Sequence, residues 1–139
     1  MCDDRDRVAQ QNSGKYIGTR TRVWARAAIA SVWLYQGLWC KLLSRCPSHA
    51  SIVSALPPPF GNAAALVLTM IGAIEVMFAI WIASGWRSRL AAMAQTMLLI
   101  VMNTGGLIWG RSAIADPFGT VLSNVILLTL IWIVADERA

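Results

Sequence analysis

Residues 62–85 read NAAALVLTMIGAIEVMFAIWIASG, an apolar stretch of the length that a membrane-crossing helix requires. Glu75 lies near its middle and is the one carboxylate inside the four long apolar stretches of this chain. A charge at the centre of a bilayer costs about 2.5–3.5 kcal/mol on insertion scales. We therefore expect the protein to pack Glu75 against polar partners, to use it, or both.

The composition is that of a membrane protein. The chain has 139 residues, of which 57% are hydrophobic and 14% are charged, with a mean hydropathy of +0.56. Soluble domains carry about 25% charged residues, and a water-soluble core of this size cannot hide so much apolar surface. The net charge of +5 does not indicate nucleic-acid binding, because the Lys and Arg residues flank the apolar stretches and form no stripe.

Four stretches have the length and composition of transmembrane helices: 23–43, 62–84, 90–109 and 117–135. In lipid, each stretch must hydrogen-bond its backbone N–H and C=O groups within itself, as a helix does. The predicted fold is therefore all-α, an integral membrane four-helix transmembrane bundle. Residues 1–22 are then a basic tail, residues 23–135 the transmembrane domain and residues 136–139 a short C-terminus. The one long loop, after the first helix, is expected to hold a short interfacial helix over 49–56.

Basic residues predict the orientation. Nine Lys and Arg residues lie in the N-terminal tail, the loop between the second and third helices and the C-terminus. Only three lie on the other side, namely Lys41, Arg45 and Arg111. The positive-inside rule therefore predicts that both termini are cytoplasmic, and we expect the bacterial inner membrane.

Polar side chains from all four predicted helices lie near the depth of Glu75. A rise of about 1.5 Å per residue gives this set as candidate partners or ligand-binding residues: Tyr35, Gln36, Asn124, the shallower Gln95 and the higher Asn103. On the same rise Lys41 lies about 12 Å from Glu75 along the membrane normal, so we expect it to snorkel to the surface. Two interpretations stay open. Glu75 is either protonated at the centre of a structural cluster of hydrogen bonds, or part of a binding site for a small polar head such as a quinone carbonyl.

Other chemistry is limited by missing residue types. The three cysteines, Cys2, Cys40 and Cys46, form no C-x-x-C pair and no zinc spacing, and free thiols are favoured over a Cys40–Cys46 bridge. His49 is the single histidine, so paired-histidine haem ligation within one chain is impossible and a metal cluster is not expected. We predict no catalytic residues, no metal and no intrinsic cofactor; a bound quinone or lipid is the ligand left open.

Three motifs in a fixed order resemble the DoxX-like family of small membrane proteins. The first is WLYQGLWCKLL over 33–43, which contains Gly37 and Lys41. The other two are Glu75 followed by Ser84-Gly85-Trp86-Arg87, and Asp116-Pro117-Phe118-Gly119 followed by Asn124. The resemblance covers about residues 23–135. One departure is Ser123-Asn124, where the family often has Lys-Asn.

The resemblance implies a four-helix membrane bundle. The wider family takes its name from a subunit of a thiosulfate:quinone oxidoreductase, and some relatives are linked to redox or detoxification systems. Our first hypothesis is a non-catalytic accessory or structural subunit of a larger membrane complex, a redox complex among them, with the lipid bilayer and other membrane-protein subunits as partners. The alternative is a quinone- or small-lipid-binding protein with its site around Glu75, and the third is a small transporter.

Overall fold

The computed structural model describes residues 3–136, and all regular structure in that range is helical. Helix α1 spans Asp3–Leu34 and runs directly into a π-helical segment, Tyr35–Leu42. The remaining helices are α2 Pro47–Ser54, α3 Ala64–Ser84, α4 Ser88–Trp109 and α5 Pro117–Asp136. Short 3₁₀ turns, Gly61–Ala63 and Arg111–Ala113, precede α3 and α5. Of the predicted C-terminus 136–139, only Asp136 is among the described residues.

Three helical stretches of the described chain are long and apolar enough to cross a membrane: Gly61–Ser84, Ser88–Trp109 and Pro117–Asp136. They match the predicted second, third and fourth crossings. The predicted first crossing, 23–43, coincides with the end of α1 and the π-helical segment. A fourth crossing there and the cytoplasmic position of both termini stay predictions. The short helix expected over 49–56 is α2, two residues earlier than predicted.

The four long helices contribute to one apolar core. Its buried members come from α1, α3, α4 and α5: Ile29, Trp33, Ala79, Ile82, Ala92, Leu99, Ile131, Val134 and Ala135. The Trp33 ring meets Phe78 edge-on at a centroid distance of 5.4 Å, which joins α1 to α3. The core therefore confirms an all-α bundle.

The turn between α3 and α4 is built by the Ser84-Gly85-Trp86-Arg87 motif. Gly85 ends α3 in the left-handed conformation (φ 69°), which glycine adopts without a steric penalty. The Trp81 indole donates a hydrogen bond to the Trp86 carbonyl at 2.8 Å, and the Arg87 guanidinium lies 5.1 Å from the Trp86 ring centre. The motif thus reverses the chain between two helices.

The Asp116-Pro117 pair begins α5. The Asp116 carboxylate accepts a hydrogen bond from the Gly119 backbone N–H at 2.9 Å, which satisfies one of the donors that a helix start leaves unpaired. Pro117 occupies the first helical position, where its missing N–H has no effect. A side chain at position 119 would collide with the Asp116 carboxylate, so the glycine belongs to the same cap.

Two glycines bring the π-helical segment against α3. A Cβ on Gly37 would lie 2.7 Å from the Gly72 carbonyl oxygen, and a Cβ on Gly72 would lie 3.0 Å from the Gly37 oxygen. The two backbones are therefore in direct contact, as small residues permit in membrane helices. Gly105 in α4 is different, because a Cβ at that position would have a Leu56 methyl as its nearest neighbour, at 3.9 Å.

We expect Gly37→Ala to destabilise the protein by about 1–3 kcal/mol, because the new methyl forces the two backbones apart. Gly105→Ala is the matched control, and its space for a methyl predicts a neutral or slightly stabilising effect. Titration of unfolding with sodium dodecyl sulfate in mixed micelles, followed by circular dichroism, measures both. Equal free energies of unfolding for the two variants would show that the helices are not in contact at Gly37.

Candidate functional site

The polar centre of the protein is an ion pair between Lys41 and Glu75. The Lys41 Nζ lies 2.8 Å from Oε1 and 2.7 Å from Oε2 of Glu75, so the ammonium donates to both carboxylate oxygens. Each side chain is only 3% exposed. Among the described residues, these are the hydrogen bonds that Glu75 makes. Each charge is therefore neutralised by the other in a site closed to the surroundings.

The expectation that Lys41 snorkels away from Glu75 is wrong. It assumed a straight α-helix with a constant rise through residues 35–42, but this segment is π-helical. A π-turn contains more residues than an α-turn, so the chain advances less along the axis for each residue. The smaller rise accounts for only part of the difference, because the two helices also have a different register from the one assumed. A Cβ on Gly72, three residues before Glu75, would lie 3.0 Å from the Lys41 Cβ. Lys41 is therefore within one helical turn of Glu75 along α3 and is buried against it.

The glycine contact explains how the pair forms. Gly37 and Lys41 are four residues apart, and Gly72 and Glu75 are three apart, so each charged residue shares a helix face with a glycine. The close approach of the backbones brings the two long side chains together and keeps water out. A glycine three or four residues before each charged residue is the sequence signal that identifies the ion pair, because it puts both charges on the helix faces that meet.

The predicted single layer of polar partners around Glu75 is also wrong. The Tyr35 side chain is 55% exposed and Gln36 is half-buried, and neither hydrogen-bonds to Glu75 in the described structure. The amides of α4 and α5 have partners of their own. Whether Glu75, Tyr35, Gln36, Asn124, Asn103 and Gln95 bind a ligand stays a prediction.

Gln95 connects α1 to α4. Its Oε1 accepts a hydrogen bond from the Trp33 indole at 2.8 Å, and its Nε2 donates to the Ala91 carbonyl at 2.9 Å. Trp33 is buried, so this bond satisfies an indole N–H that lipid cannot. The role of Trp33 was not predicted, because an indole within an apolar helix is equally suited to lipid contact.

Asn103 and Asn124 connect α4 to α5. The Asn124 Nδ2 donates to the Asn103 Oδ1 at 2.8 Å, and the Asn103 Nδ2 donates to the Leu99 carbonyl at 2.7 Å. A second bond between the same helices runs from the Trp132 indole to the Thr96 hydroxyl at 3.1 Å. These polar residues thus form separate hydrogen-bonded links between neighbouring helices.

A disulfide joins Cys40 to Cys46 where the π-helical segment ends. The expectation of free thiols is therefore wrong. Residues 43–46 turn the chain back, and this brings the two Cα atoms within 4.7 Å, a separation that a disulfide spans. Six positions of sequence separation do not reveal such a turn.

The fold and its buried ion pair define an integral membrane protein of the helical-bundle class. The DoxX-like family profile matches residues 30–132. The match covers about three quarters of the chain and includes Lys41, Glu75 and the motifs at both later helix junctions, so the protein belongs to the DoxX-like family. No curated protein and no solved structure matches the chain significantly.

Removal of either charge should leave the other buried and unpaired. We expect Lys41→Met and Glu75→Gln each to lower the free energy of unfolding by about 3–5 kcal/mol. The double variant should lose less than the sum of the two, because no unpaired charge remains. Unfolding in mixed micelles, followed by circular dichroism, gives the coupling free energy.

The exposed pair Arg89–Asp136 is the control for this cycle. Its atoms are 4.0 Å apart and its side chains are 60% and 70% exposed. Arg89→Ala should therefore change the free energy of unfolding by less than about 1 kcal/mol. Additive effects of Lys41→Met and Glu75→Gln would contradict the ion pair.

Proposed function

We propose that the protein is a non-catalytic accessory or structural subunit of a larger membrane complex, with redox complexes as the expected class. The observation that carries the proposal is the closed Lys41–Glu75 pair. Each charge satisfies the other, and both are shielded by the contact between the π-helical segment and α3. An intramembrane charge that binds a ligand or carries protons needs access to that ligand or to water, so the closed pair supports a role of Glu75 in helix packing.

The apolar outer faces of the bundle support contact with lipid and with other membrane subunits. Large side chains on α3, α4 and α5 are exposed over most of their surface, among them Met70, Met77, Ile80, Met97, Val101, Ile108, Phe118 and Ile126. In a bilayer such faces meet either lipid tails or a neighbouring helix. Four crossings in a bacterial inner membrane, with both termini cytoplasmic, belong to the same proposal and rest on the charge distribution.

The proposal predicts that a specific partner lies against one helix face. A photo-cross-linking amino acid is placed at Met77, Met97 or Ile126, one exposed position on each of three helices. Irradiation of intact membranes should give one discrete protein adduct from one of these helices, because a partner covers only part of the surface. Mass spectrometry identifies it.

Ala92 is the control position, because it is 1% exposed and its adducts must remain within the chain. The same membranes are solubilised in mild detergent, and the tagged protein is purified with whatever remains bound. The role as a subunit would be contradicted if none of the three exposed positions gave a cross-linked adduct and the protein also purified without any other polypeptide bound.

Quinone or small-lipid binding is the second candidate, and a cleft away from Glu75 favours it. The cleft is shallow, with a cavity volume of about 20 Å³ that is partly open to the surroundings, and is lined by Arg26, Trp81, Trp86 and Gln95 among others. Aromatic walls with a few polar groups suit an amphipathic ring or headgroup. Transport ranks third, because the ion pair and the glycine contact fill the interface where Glu75 lies.

If the cleft holds a quinone or lipid, Trp86→Ala should reduce the amount that co-purifies by about tenfold, as expected for loss of a ring contact. The Trp86 carbonyl that caps the Trp81 indole is retained in this variant. Trp109→Ala removes an exposed tryptophan outside the cleft and should leave retention unchanged. Extraction and mass spectrometry measure the bound molecule. If Glu75→Gln lost the bound molecule and Trp86→Ala retained it, the binding site would lie at Glu75 and not in the cleft.

A further inference from the structure

The Cys40–Cys46 disulfide is accessible from one side. Cys40 lies within the π-helical segment and is 3% exposed, whereas Cys46, the residue before α2, is half-buried. Thiol–disulfide exchange requires an incoming thiolate to reach one sulfur while the other leaves. The greater exposure of the Cys46 residue therefore favours attack at the Cys46 sulfur, with the Cys40 sulfur as the leaving group.

His49 lies beside both sulfurs. The two Sγ atoms and a ring nitrogen of His49 are all within 4.8 Å of one another. The Nδ1 atom is buried and has no hydrogen-bond partner among the residues that the structure describes. Burial lowers the pKa of His49, and the positive charge of Lys41 lowers it further, so the imidazole is neutral at neutral pH. A neutral imidazole accepts one proton, and because the lowered pKa makes the protonated ring short-lived, His49 passes that proton on readily to a thiolate beside it.

We propose that the Cys40–Cys46 disulfide is a thiol–disulfide exchange site that accepts two electrons from a dithiol partner at Cys46, with His49 as the proton acceptor. The inference is independent of the role as a subunit. Cys, Cys and His are also zinc donors, but two sulfurs bonded to each other are not thiolate ligands. The disulfide thus favours exchange over metal binding.

The chemical steps balance as follows. One thiol of the partner gives its proton to His49 and attacks the Cys46 sulfur; the Cys40–Cys46 bond breaks, and a mixed disulfide forms at Cys46. The Cys40 thiolate takes the proton from His49. The second partner thiol then attacks the partner's own sulfur in the mixed disulfide, and the bond from that sulfur to Cys46 breaks. The partner leaves with an internal disulfide, and the proton of its second thiol goes to the Cys46 thiolate. Two electrons and two protons pass from the dithiol to the two cysteines.

The location suits such a partner. The predicted orientation puts residues 43–60 on the non-cytoplasmic side, where disulfides form and persist. The residue that follows Cys40 is Lys41, so the disulfide is adjacent in sequence to one member of the ion pair. A dithiol that docks at the loop therefore acts one residue from the polar centre of the bundle.

The first test uses the folded protein in nanodiscs with Cys2→Ser, which removes the third thiol, and with a metal chelator present. Dithiothreitol should reduce the Cys40–Cys46 bond while circular dichroism and tryptophan emission stay those of the folded protein. Alkylation and mass spectrometry quantify the bond. Reduction only after unfolding in sodium dodecyl sulfate would overturn the proposal, as would two free thiols in protein alkylated directly in membranes.

Single-cysteine variants test which sulfur is attacked. In the same background, Cys46 of Cys40→Ser should react with a maleimide at least about tenfold faster than Cys40 of Cys46→Ser, because access controls thiol reactivity. His49→Gln should slow reduction by dithiothreitol about a hundredfold, the low end for loss of a proton acceptor. Ser48→Ala is its control and should reduce at the original rate. Equal reactivity of Cys40 and Cys46, or unchanged reduction in His49→Gln, would contradict the assigned roles.

Discussion

The Lys41–Glu75 ion pair is the constraint around which the rest of the bundle is arranged. An unpaired charge is costly among apolar helices, and an ion pair recovers that cost only when its geometry is close and its donors and acceptors are used. The close geometry and the full use of donors and acceptors both depend on where the two backbones lie. The π-helical segment aims Lys41 at α3, and the contact of Gly37 with Gly72 brings the two chains near enough for one ammonium to bind both carboxylate oxygens.

The family motifs acquire separate physical roles in this structure. Gly37, Lys41 and Glu75 make the buried contact between the first helix and α3. Gly85 reverses the chain in a conformation that a side chain would strain, and Asp116 caps the helix that Pro117 begins. Each motif lies at a helix crossing or a helix end. Such a pattern maintains a fold.

Much of the fold was predictable from sequence, because length, hydropathy and cap residues are local signals. The crossing predicted over 62–84 and the start of α5 at Asp116-Pro117 rest on such signals, and the structure confirms both helices. The centre of the site was not predictable in the same way. A depth calculated from a straight helix in an assumed register separated Lys41 from Glu75. The π-helical segment and the register set by the Gly37–Gly72 contact together bring them into contact. Similarly, the bridge from Cys40 to Cys46 depends on a turn that their spacing does not specify.

The closed centre and the partly open periphery support the proposal that the protein acts at the surface of the bundle. The carboxylate oxygens of Glu75 are buried and bonded to Lys41, so a ligand would have to break these bonds to reach Glu75. The cleft beside Trp86 and the loop disulfide need no such loss, because both are partly open before anything binds. The disulfide is anchored at one end beside this ion pair, since Cys40 immediately precedes Lys41 in the sequence. A rigid centre with reactive or apolar edges is the arrangement that suits a membrane subunit, whose work is done at its contacts with neighbours.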